Sequence, residues 1–193
     1  EVTNMSQMFK GCHTFNHNLR TQNSPRTWNV SQVQRMDQMF EKCHAFNGDI
    51  TNWTVSKVTT MSNMFKDCRA FNQDISNWIV SNVTDMSFMF SGCYVFNNFN
   101  ETLTGRNVWD VSKVTTMSNM FKDCRAFNQD ITNWNVSNVT DMTAMFSGCR
   151  QFNQPIRYWV VSNVTNMSQM FLGCQQFNYP INTLATGIWD VSK

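Results

Sequence analysis

Leucine occurs only four times in 193 residues, and charged residues make up 15% of the chain with a net charge of +2. The first scarcity excludes a core built on leucine, and the second leaves no strong field to steer nucleic acid or an anionic membrane. No apolar run reaches eighteen residues, so no membrane insertion is expected, and no signal peptide is present. Catalytic groupings are also missing. The three histidines, His13, His17 and His44, have no partner at ligand or catalytic spacing, and there is no CxxC pair, Cys/His cluster, nucleophile motif or phosphate loop. Neither an enzyme nor a cofactor is expected. Asp49, Asp74 and Asp130 resemble a carboxylate column until Asn18, Phe99, Pro155 and Pro180 are found at the same place in other units, which argues against a repeated calcium site.

What is present is one phrase written seven times. The cysteines are Cys12, Cys43, Cys68, Cys93, Cys124, Cys149 and Cys174, at spacings of 31, 25, 25, 31, 25 and 25. Each is preceded by Met-Phe and an earlier Met, and each is followed by Phe-Asn and then by Trp-x-Val-Ser. All seven Trp, all fourteen Met and fourteen of the sixteen Phe belong to these columns, so the core is aromatic and thioether. Trp53 to Cys93 differs from Trp109 to Cys149 at five of forty-one positions, as expected of internal duplication. A fixed period of this length indicates a solenoid, in which each unit buries its apolar side by stacking on its neighbours. Residues 1–193 are read as one array of seven repeats without caps, in which 31-residue units recur every third coil.

Within a unit, Met61, Met64, Phe65 and Cys68 stand at i, i+3, i+4 and i+7, which predicts a short one-faced helix. Thr59 and Thr84 fall at its N-cap, and Asp85 and Asp141 lie where a helix dipole favours a carboxylate. Asn16, Asn47, Asn72, Asn97, Asn128, Asn153 and Asn178 either close that helix in the left-handed conformation or pair along an amide ladder. Trp78-x-Val80 and Trp134-x-Val136 alternate as short half-buried strands. The expected fold class is therefore an α/β solenoid, leucine-rich-repeat-like, with seven coils each carrying a short parallel strand and a short helix. An all-β solenoid is the alternative.

The frame Ile75-x-x-Trp78-x-Val80-x-x-Val83-x-x-Met86 resembles the leucine-rich repeat with Trp, Val and Met in place of Leu. More closely, WDVSKVTTMSNMFKDCRAFNQDI (Trp109 to Ile131) resembles the bacterial surface-protein repeat of about 25 residues found in mycoplasma surface lipoproteins, a relative of the BspA-type leucine-rich repeats. The resemblance covers all seven units. It implies an extracellular or cell-surface location and an adhesive or structural role. The departures are insertions at HNLRTQNSPRT, NFNETLTGRNV and YPINTLATGI, which recur every third coil and would form a ridge on one edge, a place solenoids use for binding.

Several columns could carry function. Cys12, Cys43, Cys68, Cys93, Cys124, Cys149 and Cys174 read as buried free thiols, because their number is odd and they sit on the apolar face. Trp28, Trp53, Trp78, Trp109, Trp134, Trp159 and Trp189 share a face with Val and read as core rather than as a sugar-stacking ladder. Lys66, Arg69, Lys122, Arg125 and Arg150 make a basic stripe, but Asp67 and Asp123 interleave with it and favour a solvated surface. Glycosylation sequons fall at Asn82, Asn138 and Asn163 within the repeat wording and at Asn100 within an insertion.

The chain begins at EVTNMSQMF and stops at GIWDVSK, and the two half-coils complete each other with a Cys174-to-Cys12 spacing of 31. The expected end-to-end interface comprises Val2, Met5, Met8 and Phe9 against Trp189 and Val191. The partner is then either another copy, stacked head to tail into a filament, or the continuation of a longer array. The competing reading is a cell-surface binding module that takes a protein or glycan ligand on its concave face or insertion loops.

Overall fold

The computed structural model describes residues 1–20, 28–98 and 109–181. They form a stack of coils, numbered 1 to 7 by their cysteines from Cys12 to Cys174. Coil 3 shows how one is built. The N–H groups of Met61, Asn63, Phe65 and Asp67 leave their own coil and donate to the carbonyls of Asp85, Ser87, Met89 and Ser91 in coil 4, at 2.7–3.1 Å. The N–H groups between them turn inward: Met64 donates to Met61, Lys66 to Asn63 and Cys68 to Phe65. Alternate amides thus bind the next coil and close local turns.

This pattern overturns the expected α/β fold class. Among the described residues there is no α-helix, and β pairing is confined to single parallel bridges along Asn4, Arg35, Thr60, Asp85, Thr116, Asp141 and Asn166. The all-β alternative fails with it, because Trp78-x-Val80 forms no strand and the one bridging residue per coil lies just before the first Met. The reason is in the backbone. Asn63 and Asp67 have φ of 56° and 61°, and the same two places in every coil are left-handed, from Gln7 and Gly11 to Gln169 and Gly173. A left-handed residue third in a turn closed by an i+3 to i bond marks a type II turn, and one every four residues forbids a helix. The turns Met61–Met64 and Phe65–Cys68 corner inward at the positions a helix would bury, so they reproduce its i, i+3, i+4, i+7 spacing.

The supposed capping residues serve the stack as well. Thr59 gives both its N–H and its hydroxyl to the carbonyl of Gln34 in coil 2, and Thr84, Thr115, Thr140 and Thr165 repeat this onto the Thr before them. The Asp85 carboxylate accepts from the N–H and hydroxyl of Ser87, closing a local turn.

Inside, identical residues lie over identical residues. The Phe column from Phe9 to Phe171 stacks with centroids 5.4–5.9 Å apart and nearly parallel planes. A second Phe column packs on it, as Phe71 does on Phe65 at 4.1 Å. Trp53 lies over Trp78 at 6.3 Å and 3°. Offset aromatic stacking of this kind adds to the burial of apolar area that holds each coil to the next.

Candidate functional site

The columns singled out from the sequence occupy distinct structural posts. Trp53, Trp78, Trp109, Trp134 and Trp159 are buried, and Trp28 is half-buried beside coil 1. The indole N–H groups of Trp53, Trp78, Trp109 and Trp159 donate to the carbonyls of Leu19, Ile50, Ile75 and Ile131 in the preceding coil. Cys43, Cys68, Cys93, Cys124, Cys149 and Cys174 each donate their thiol to a Phe carbonyl one coil back, at 2.9 Å. That carbonyl already accepts a turn N–H, as Phe40 does from Cys43. A thiol is a small apolar group with a weak donor, which suits this place. Burial pushes the Cys43 and Cys174 thiols up to about 11 and raises Cys68, Cys93, Cys124 and Cys149 well above the ordinary range, so none is a nucleophile at neutral pH. Cys12 is exposed.

The Asn column is an amide ladder. The side-chain oxygens of Asn16, Asn47, Asn72, Asn97, Asn128 and Asn153 each accept the backbone N–H of the Asn one coil further on, ending at Asn178. None of the seven is left-handed. The sequon residues Asn82, Asn138 and Asn163 donate their side-chain nitrogens to the carbonyls of Ser56, Ser112 and Ser137. The nitrogen a glycan would take thus already serves the stack. Asn100, Trp189 and Val191 lie outside the described residues, as does most of the insertion ridge.

The two end coils differ in hydrogen-bonding sense. In coil 1 the carbonyls of Asn4, Ser6, Met8 and Lys10 accept no hydrogen bond among the described residues, whereas their counterparts in coil 2, Arg35, Asp37, Met39 and Glu41, all do. In coil 7 the N–H groups of Met167, Gln169, Phe171 and Gly173 have no acceptor among the described residues, whereas those of Met142, Ala144, Phe146 and Gly148 in coil 6 are all paired. One end therefore offers four acceptors and the other four donors, in the same register. At the coil 1 end Val2 and Met8 are 55% and 49% exposed, beside the buried Met5 and half-buried Phe9. A concavity of about 570 Å³ is lined there by Val2, Met5, Met8 and Trp28 among others.

One grouping escaped the sequence reading. The residue after each cysteine forms an outward column of His13, His44, Arg69, Tyr94, Arg125, Arg150 and Gln175, so the arginines share their line with aromatic rings. Aligning the units on the cysteine alone would have found it. Among the described residues no His/Cys/Asp/Glu cluster could hold a metal ion, and no helix is long and apolar enough to cross a membrane.

The family described as "Mycoplasma protein of unknown function, DUF285" matches twice in tandem, over residues 1–103 and 94–193. The chain belongs to this DUF285 family. Curated proteins yield no match. Among solved structures, a leucine-rich repeat protein of T. pallidum is similar over 92% of this DUF285 chain and 72% of its own length, at 12% identity and a TM-score of 0.50. A leucine-rich cell surface protein of Faecalibacterium prausnitzii is aligned over 98% and 79%, at 13% identity and a TM-score of 0.28. The first likeness extends to the fold alone: a leucine-rich-repeat type of coil stack, with turns where the expected helices and strands would lie.

Proposed function

We propose that the chain is a structural and adhesive repeat protein of the cell surface whose copies join end to end, coil 7 of one on coil 1 of the next. The carrying observation is the pair of open ladders. The N–H groups of Met167, Gln169, Phe171 and Gly173 match the carbonyls of Asn4, Ser6, Met8 and Lys10 of a second copy, one for one. An unpaired backbone group buried from water costs about 1–3 kcal/mol, so a partner that covers either end favourably must satisfy that row, and another coil of this repeat does so. The contact is heterologous and does not close on itself, which makes its product an open fibre. The surface location is supported by the resemblance to mycoplasma surface-lipoprotein repeats.

Sedimentation velocity across a wide concentration range tests the joint. Species larger than the 22.5 kDa chain should grow with concentration, and Met8→Glu, which places a charge on the acceptor end, should suppress them without lowering the melting temperature. A monodisperse monomer at every concentration would overturn the reading.

A further inference from the structure

In the outward column after the cysteines, the His13 Nδ1 lies 2.8 Å from the Lys42 carbonyl of coil 2. Coil 7 fills the column with Gln175 and coil 4 with Tyr94, so the fold does not require cations there. Yet Arg125 and Arg150 face outward from successive coils, with Arg69 in the same line. Among the described residues the ion pairs are Lys10–Glu41, Arg20–Asp49 and Arg35–Asp37, none of which involves these arginines. Asp67 and Asp123 interleave with them, and their Oδ1 atoms stand where a Cβ on Gly92 or Gly148 would come within 2.5 Å.

Two of the three guanidinium groups lie near one ring. Arg125 lies 4.3 Å and Arg69 5.7 Å from the centroid of Tyr94, and Lys66 sits 5.1 Å from that of Phe88. At the coil 1 end of the line, His13 and His44 stack at 4.6 Å. Cation–π contact fixes a charge at the surface without neutralising it. The wider strip, with Lys10, Lys42, Lys66, Lys122 and the three arginines, holds seven of the fifteen Lys and Arg but only Glu41, Asp67 and Asp123 of the thirteen acids. A nearly neutral chain thus carries a straight cationic strip.

We propose that this strip binds a linear sulfated polysaccharide laid along the stacking axis. The strip is a narrow line running from coil to coil, which suits a single extended strand bearing charges at intervals. The rings are engaged with guanidinium groups or with each other, so the line offers fixed charge rather than free stacking faces. That arrangement suits sulfate, which guanidinium pairs with through two parallel hydrogen bonds, better than nucleobases. The site is independent of end-to-end joining and can be assayed on the monomer.

The test is retention on immobilised heparin and titration with dextran sulfate over a salt series. Unsubstituted dextran, single-stranded and duplex DNA, and phosphatidylglycerol vesicles serve as competitors. Arg69→Gln/Arg125→Gln/Arg150→Gln should weaken binding on the order of tenfold and flatten its salt dependence. Lys57→Gln/Lys113→Gln/Arg157→Gln, which removes the same charge from other exposed positions, should leave it near the parent value. Tyr94→Ser should show a smaller loss at unchanged melting temperature. Equal losses in both triple variants, absence of binding to either sulfated chain, or tighter binding to DNA or the vesicles would each overturn the proposal.

Discussion

Interior and end coils spell nearly the same phrase but meet different surroundings. Trp78 in coil 3 is 1% exposed, while Trp28 in coil 1 is half-buried; Cys68 is buried, while Cys12 is exposed and Cys174 is intermediate. The residues are the same, and the number of neighbouring coils is not. Burial here is therefore conferred by stacking more than by composition, and the stability of each coil is in large part that of its two interfaces.

The largest difference between interior and end coils is expected at the indole. Trp78→Ala should cost about 3–5 kcal/mol through lost packing and a cavity. The same change at Trp28 should cost well under half as much, both read from chemical denaturation. Glycine gives the next largest contrast. Gly11 and Gly92 share a column and a left-handed backbone, with φ of +76° and +77°, but a Cβ on Gly11 meets nothing within 4 Å while one on Gly92 falls 2.5 Å from Asp67 Oδ1. Gly11→Ala should cost about 1 kcal/mol, the conformational part alone. Gly92→Ala should cost about 2 kcal/mol or more, because Asp67 must also move.

The amide ladder sharpens the contrast at smaller scale. Asn72→Ala removes the acceptor of the Asn97 N–H and should cost about 1–2 kcal/mol, whereas Asn178→Ala, past the last rung of the described ladder, should cost little. Thiols report the same gradient through pH. Burial raises the interior thiols, so the stability they contribute is fully present below the ordinary thiol value of about 8.5 and falls as pH rises above it. Alkylation at pH 8 should mark Cys12 quickly and leave Cys68, Cys93 and Cys124 unmarked until the chain unfolds. The smallest effect expected is at His44, whose pKa is lowered by burial first and then by the charges of Arg69 and His13, opposed by Asp67. Its NMR titration midpoint should lie below 6.5 and rise in Arg69→Gln.

Sequence periodicity revealed which residues share a column, because stacking forces like to lie over like. It did not reveal how the chain travels between columns. The spacing of Met61, Met64, Phe65 and Cys68 fits a helix and a run of turns equally well, and only the backbone conformations that the neighbouring residues prefer separate the two. Those neighbours held the answer: Gly11, Gly92, Gly148 and Gly173 occupy one left-handed position, and Asn63 and Asn119 the other. A column where Gly recurs in some units, four residues beyond one where Asn recurs in others, argues against a helix and for type II turns. Lys42, Phe88 and Ala144 take the same conformation without that aptitude, so there the stack imposes it and local sequence could not show it. The ring contacts of Arg69 and Arg125 are hidden for another reason: charge patterning marks the basic residues but not the aromatic Tyr94 between them.

Backbone amides that find their acceptors in the next coil hold the stack together. Residue-resolved hydrogen exchange in dilute solution tests this most directly. The amides of Met61, Asn63, Phe65 and Asp67 should exchange orders of magnitude more slowly than those of Met167, Gln169, Phe171 and Gly173. Equal protection of the two sets would contradict it, since the coil 7 amides have no acceptor among the described residues.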